Sequence, residues 1–306
     1  MQEHERELAE LLRIGREASH LVMEVYATPF TVDLKGPDDP VTQADRRAND
    51  LICGAIEAAF PGEAILAEES VPSDPAEIAA LARQPRVFYV DPLDGTREFA
   101  NRNGEFAVMI GLSIAGRAAL GVLVLPTTGE ALVGWSLPEA SAQASAHASV
   151  QASAHASVQA PHGSEALQGA FLEAPDGSRS PLRVSTTRTP SEAAAVISRS
   201  HPHPSLRPLL DRLGIGRVVQ CGSVGVKVAR VVTRAADLYV HTGTGAKLWD
   251  TCAPEAVLRG AGGAFSDLHG DPIGYGGPDL VLSRGIVATN GALHDAVLAA
   301  ARPALS

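Results

Sequence analysis

Leu8, Leu11, Leu12, Ala18, Val22 and Val25 recur at helical spacing in the opening stretch "MQEHERELAELLRIGREASHLVMEVY". Residues spaced in this way share one side of an α-helix, so the segment is expected to be amphipathic. A polar Gly/Pro-containing link, "DLKGPDDPVTQAD", follows, and Asp45 to Phe60 reads as a second helix capped by Asp or Thr. "EAILAEES" reads as a short strand running into two glutamates. From Val87 to Val133 the apolar runs "VFYV", "FAVMIGLSIAG", "AALGVLVLP" and "EALVGW" alternate with short turns, the pattern of an antiparallel meander. Later the pattern changes. "AAAVISRS" and "ADLYVH" predict strands, "SVGVKVARVVTRA" and "DTCAPEAVLRGAGG" helices, and "GIVATNGALHDAVLAAA" a strand, an Asn290 cap and a closing helix. Strand and helix in alternation predict an α/β layer architecture.

Between these halves lies "PEASAQASAHASVQASAHASVQAPHG", in which the octad "QASAHASV" starts at Gln143 and again at Gln151, with a further copy beginning at Gln159. The repeat is too short for a solenoid. Alanine and serine bring too little apolar surface to offset ordering entropy, so a surface loop is favoured over a metal site at His147 and His155. The expected organisation is an N-terminal α+β unit over 1–137, the insert over 138–164, and a C-terminal α/β unit over 165–306.

Charge narrows the function. The 306 residues carry a formal net charge of −10, which argues against binding a nucleic-acid polymer. Cys53, Cys221 and Cys252 have neither CxxC spacing nor the look of a disulfide framework, as befits a reducing cytosol. The opening stretch lacks the apolar core of a signal peptide, and no apolar run reaches membrane-spanning length. A cytoplasmic protein is expected.

The acids carry the chemistry. "AEES" places Glu68 and Glu69 after one strand, "DPLDGT" places Asp91 and Asp94 after another, and "LWDTCAPEA" places Asp250 at a helix start. Any one of these, like Asp45, could be a cap or a solvated turn. Together, without histidine or thiolate partners, they suit hard cations that prefer oxygen ligands. Pro92 stiffens the turn, so Asp91, Asp94 and the Leu93 carbonyl can face one point. Gly95 permits close backbone approach, and a helix from Thr96 would offer free amides to a phosphate. Metal cluster and phosphate seat would adjoin, as in a phosphatase. "GTGAK" lacks the spacing of a P-loop.

"AEES", "DPLDGTREF" and "WDTCAPEA" resemble the signature motifs of the inositol monophosphatase superfamily of metal-dependent, lithium-sensitive phosphatases. "RNGEF", "VISRSH", "GSVGVK" and "KLWDTCAPEA" are similar to the CysQ-type 3′(2′),5′-bisphosphate nucleotidases within it. The resemblance implies a layered αβαβα sandwich of the inositol monophosphatase and fructose-1,6-bisphosphatase type. It implies two or three Mg²⁺ ions on Glu68, Asp91, the Leu93 carbonyl, Asp94 and Asp250, with Gly95 and Thr96 at the phosphate. Thr96, oriented by Asp45, would help Glu68 position and deprotonate the attacking water. Glu69 is implied as a supporting or additional-metal acid, and Lys35 as a loop lysine. His201, Ser223 and Lys227 match nucleotide contacts, whereas His241 stands where some relatives carry arginine.

The implied reaction is hydrolysis of the 3′-phosphate of adenosine 3′,5′-bisphosphate to AMP, a step that clears a by-product of sulfate assimilation. Inositol monophosphate or fructose 1,6-bisphosphate is the alternative substrate on the same site, and a catalytically silent phosphate-binding relative is the alternative of another class. Relatives act as monomers or homodimers, with or without peripheral contact with the inner membrane.

Overall fold

The computed structural model describes residues 3–36, 39–138, 167–200 and 203–302. The octad insert and His201 lie outside them. Helix α1 (Glu3–Tyr26) forms as its apolar spacing predicts, with Leu11, Ile14, Ala18 and Val22 fully buried. The polar link after it is instead an antiparallel hairpin, β1 (Val32–Gly36) with β2 (Asp39–Thr42). Its outward side chains carry no apolar alternation, and Leu34 is left exposed, so the pattern that announces a strand is missing. Thr42 then opens α2 (Gln43–Ala59) through a capping box with Asp45.

β3 (Ala64–Ala67) runs into a turn of 3₁₀ helix at Glu68–Ser70, and α3 (Pro75–Ala82) follows. Next come β4 (Arg86–Asp94), the short α4 (Thr96–Ala100), β5 (Ala107–Ile114), β6 (Arg117–Leu125) and β7 (Glu130–Ser136). β8 (Gln168–Glu173) and β9 (Arg179–Pro181) complete a seven-stranded sheet in sequential order β3 to β9. Only its β3–β4 pair is parallel. The sheet thus continues past residue 165, because β8 pairs with β7 from Ala131 to Ser136.

The remaining elements are β10 (Ala194–Ser198), α5 (Leu206–Leu213), β11 (Arg217–Cys221), α6 (Val224–Val232), β12 (Leu238–His241), β13 (Ala246–Lys247) and α7 (Cys252–Gly260). β14 (Ala264–Ser266), β15 (Val281–Leu282), β16 (Ile286–Thr289) and α8 (His294–Ala301) end the chain. A second sheet has the order β11-β10-β12-β16-β14, parallel across its first three strands. The Asn290 side chain caps the final turn, accepting from the Leu293 amide at 3.1 Å.

Strand periodicity then builds the layers. In β5, Val108, Ile110 and Leu112 face α1 and α2, while Ala107 and Met109 face the other way toward α6 and α7. The second sheet covers those two helices, and α5 and α8 close its outer face through Leu209, Leu210, Leu213 and Val297. The order is helix, sheet, helix, sheet, helix, the expected αβαβα sandwich.

A row of glycines seats the middle layer. Gly111, Gly121 and Gly134 stand opposite one another across β5, β6 and β7. A Cβ on Gly121 would lie 2.4 Å from the Ala253 carbonyl, and one on Gly134 would lie 2.5 Å from Val257 Cα. The row is a groove in the sheet, and α7 lies in it with backbone against backbone. Gly54, on the exposed side of α2, has nothing within 4 Å of such a Cβ. Gly121→Ala is therefore expected to lower the unfolding free energy by about 3 kcal/mol in urea titrations. Gly54→Ala, which only removes backbone entropy, should raise it by about 0.5–1 kcal/mol.

Candidate active site

The groove brings three chain junctions together. Ala67 pairs with Val90 in the parallel β3–β4 ladder, so Glu68 and Asp91 leave adjacent strands side by side. Pro92 falls where the β4–β5 register shifts, between the Asp91–Met109 and Asp94–Ala107 pairs. Proline has no donor for a ladder, so a bulge is where it fits, and the bulge turns both aspartates to one end of the sheet. Asp250 arrives there just before α7. Gly95, at φ +98°, ends the strand in a conformation that L-residues resist, and a Cβ on it would sit 2.9 Å from the Glu105 carbonyl.

Each acid is turned to an internal donor. Asp91 Oδ1 accepts from the Leu93 amide at 3.0 Å, and Asp250 Oδ2 from the Lys247 amide at 2.7 Å. Asp94 Oδ2 accepts from the Gly225 amide at 2.6 Å and from the Ser223 hydroxyl. Lys35, on the β1–β2 hairpin, places Nζ 2.8 Å from Glu68 and 2.7 Å from Glu69. Asp45 accepts from the Thr42 amide at 2.7 Å through Oδ2 and from the Thr96 hydroxyl at 2.8 Å through Oδ1. The Leu93 carbonyl is 3.1 Å from the same hydroxyl. With a single proton to give, Thr96 favours the charged and shorter contact.

Burial and crowding raise the acids together. Desolvation pushes Asp91 well up, with the charges of Glu68, Asp94 and Asp250 adding to it. Asp250 is raised in the same way, by loss of solvent and then by Asp94 and Glu68. Glu68 is pushed up to about 7 by burial, against the attraction of Lys35. Asp94 is raised by burial, opposed by Lys227 and its hydrogen bonds to Ser223 and α6. Lys227 itself is 4% exposed, its Nζ 5.1 Å from the Tyr239 ring centre, and burial lowers its pKa.

Beside these groups opens a cleft of about 400 Å³, walled by Asp94, Thr96, Ser223, Lys227, His241 and Asp250 among others. Pro40 of the hairpin reaches it, and Gly95 lines it. Among the described residues no three acid, histidine or cysteine side chains converge on one point as an ion requires. The reason is visible in the partners just named: Glu68 holds an ammonium and Asp94 a helix terminus. The donor set nonetheless fits a hard cation. It is all oxygen, it is largely buried, and a cation in the form of Lys35 already lies against it.

Two acids escaped the sequence reading. Glu98 is 4% exposed, lines the cleft and accepts from the Ser200 hydroxyl. Glu105 accepts from the Gly222 amide at 2.8 Å. Both stand in quoted motifs, and the signal available was an acid followed directly by a phenylalanine that becomes buried.

The sequence profile of the Inositol monophosphatase family matches residues 4–306. The chain belongs to the inositol monophosphatase family. It is 32% identical over 270 residues to the 3′(2′),5′-bisphosphate nucleotidase CysQ of Escherichia coli, covering 88% of this chain and 93% of that one. Human 3′(2′),5′-bisphosphate nucleotidase 1 is 26% identical over 293 residues, 88% of this chain and 85% of its own. In fold, the chain is similar to the extragenic suppressor protein suhB of Bartonella henselae, with TM-score 0.71 and 24% identity over 96% and 97% of the two chains. CysQ from Bacteroides thetaiotaomicron gives TM-score 0.67 and 23% identity over 93% and 97%. Members of the inositol monophosphatase family are phosphatases, generally metal-dependent, and this chain is an enzyme of that class. Among the described residues no helix is long and apolar enough to cross a membrane.

One further acid lies behind the site. Glu255 of α7 is 1% exposed, accepts from the Tyr275 hydroxyl at 2.8 Å and lies 3.4 Å from Arg259. Burial pushes it up to about 7. The folded protein therefore holds this proton more tightly than the unfolded chain. The stabilisation is present below the unfolded pKa and is lost as pH rises toward 7. Glu255→Gln keeps the acceptor for Tyr275 and has no proton to lose. The variant should gain stability over the wild type by on the order of 3 kcal/mol between pH 5 and pH 8, read from urea midpoints at each pH.

Proposed function

We propose that the chain is a Mg²⁺-dependent phosphomonoesterase that hydrolyses the 3′-phosphate of adenosine 3′,5′-bisphosphate to AMP and phosphate. The observation that carries the chemistry is the Asp45–Thr96 hydrogen bond beside Asp94 and Asp250 at the cleft wall. The substrate follows from the names of the relatives that the chain matches along most of its length.

Glu68, Asp91, the Leu93 carbonyl, Asp94 and Asp250 would hold two or three Mg²⁺ ions. Bound there, the cations lower the pKa of water and neutralise charge on the phosphoryl group. The chain's own groups do the rest. Thr96 donates its hydrogen bond to Asp45, which leaves the hydroxyl oxygen to accept from the attacking water. Glu68 takes that water's proton once Lys35 has moved off it. The first amides of α4, at Gly95 and Thr96, lack helical partners and face the phosphoryl oxygens. Attack is in line, the ester P–O bond breaks, and the 3′-oxygen leaves and takes a proton from solvent to become the hydroxyl of AMP. Ser223 and Lys227 border the space next to the phosphate on the cleft wall and would contact the rest of the nucleotide.

Phosphate release should be measured from adenosine 3′,5′-bisphosphate, inositol 1-phosphate and fructose 1,6-bisphosphate, with Mg²⁺ and with added Li⁺. The nucleotide is expected to be the best substrate and Li⁺ to inhibit. Faster turnover of inositol 1-phosphate would move the assignment to the sugar phosphates, and no Mg²⁺-dependent release from any of them would remove it. Asp94→Asn, which retains the contacts from Gly225 and Ser223, should stay folded and lose activity by about 10³-fold or more.

A further inference from the structure

Ser223 holds Asp94 from an uncommon backbone conformation, φ +56° and ψ 135°. Such a conformation costs on the order of 1–3 kcal/mol in an L-residue and persists only where its surroundings impose it. Downstream, its hydroxyl oxygen accepts from the Val226 amide at 3.0 Å, while the hydroxyl itself donates to Asp94. Upstream, the peptide of Gly222 is fixed by a side chain from the other half of the molecule. Glu105, between α4 and β5, accepts from the Gly222 amide at 2.8 Å through Oε2. The same carboxylate takes Arg199 at 3.1 Å and 2.8 Å, and Arg199 donates onward to the Gln220 carbonyl at 3.0 Å. Gly222 lies flat on Glu98, where a Cβ would come within 2.1 Å of Cγ, so the loop is pressed between two carboxylate side chains.

Glu105 itself does not line the cleft. Its ion pair with Arg199, a side chain 44% exposed, is of a kind worth about 0–1 kcal/mol to stability. The bond to the Gly222 amide has a different use. We infer that Glu105 is a positioning residue for the phosphatase reaction: by fixing the Gly222 peptide it holds Ser223 at positive φ, and so aims the Asp94 carboxylate. The inference rests on the reading of Asp94 given above.

The test is a double-mutant cycle with Glu105→Ala and Ser223→Gly, because glycine adopts positive φ without being held. In the wild-type background Glu105→Ala should lower kcat by about 10- to 100-fold, with KM moving less than about threefold. In the Ser223→Gly background the same change should cost less than about threefold. Mg²⁺ affinity of the substrate-free protein, measured by calorimetry, should show the same coupling without any need for turnover. Glu105→Gln, which keeps a carbonyl oxygen for the Gly222 amide, should recover most of the loss. It also carries the cycle if Glu105→Ala does not fold. Arg199→Ala should leave kcat within about threefold of wild type, since it spares that amide bond. An equal loss from Glu105→Ala in both backgrounds, or a loss from Arg199→Ala as large as that from Glu105→Ala, would overturn the inference. An inactive wild type that still binds Mg²⁺ with the predicted coupling would overturn the phosphatase reading and leave the positioning role standing.

Discussion

Asp91, Asp94, Asp250 and Glu68 repel one another in a place with little water, and the surrounding structure is arranged to contain that repulsion. Each acid has one oxygen tied to a donor fixed by secondary structure: the Leu93 amide, the Lys247 amide, the N-terminal turn of α6, or the Lys35 ammonium. A carboxylate bound by backbone N–H groups is favoured in its charged form, and this opposes the raising effect of burial. The donors also fix direction. With one oxygen pinned, the other oxygen of each aspartate can turn only within the arc its own side chain allows.

The containment depends on the layers being close. Asp250 reaches the end of β4 because α7 lies against the bare backbone of Gly111, Gly121 and Gly134. Larger residues in that row would lift α7, and Asp250 with it. Farther along α7, Glu255 meets Tyr275, whose carbonyl accepts from the Tyr89 hydroxyl of β4. The helix is thus tied at its flank to the strand that carries Asp91 and Asp94.

The period of the apolar residues announced α1, the β4–β7 meander and the alternation of the second half, because those elements bury one consistent face. The β1–β2 hairpin gave no such sign, being held by backbone bonds with the side chains of β1 in solvent. Helix α5 was not foreseen, although Leu206, Leu209, Leu210 and Leu213 fall at helical spacing, because Pro208 reads as a breaker unless it is placed in the first turn. The strand glycines were visible as letters within apolar runs, yet nothing in a single strand tells that three of them will align. The acids of the site were legible as a set, since "AEES" and "DPLDGT" each follow an apolar run and "WDTCAPEA" opens a helical one. Their partners were not. Ser223 at positive φ and the reach of Glu105 to Gly222 depend on two distant segments meeting, and no local pattern encodes that.

The two lysines near the acids divide the compensation of charge by how firmly each is held. Lys227 is anchored on α6, almost wholly buried, with its ammonium against the Tyr239 ring and within electrostatic reach of Asp94. Removing it from that place would mean unwinding the helix that also caps Asp94, so its position is fixed. Lys35 comes from an exposed two-stranded hairpin, and its side chain and that of Glu68 remain 28% and 25% accessible. Part-exposed pairs contribute about 0–1 kcal/mol, little enough to be replaced by a divalent cation with the same carboxylates. An unexchangeable cation on one side and an exchangeable one on the other is what the proposed chemistry needs. In that proposal the acid to be freed, Glu68, is the one whose counter-ion is part-exposed.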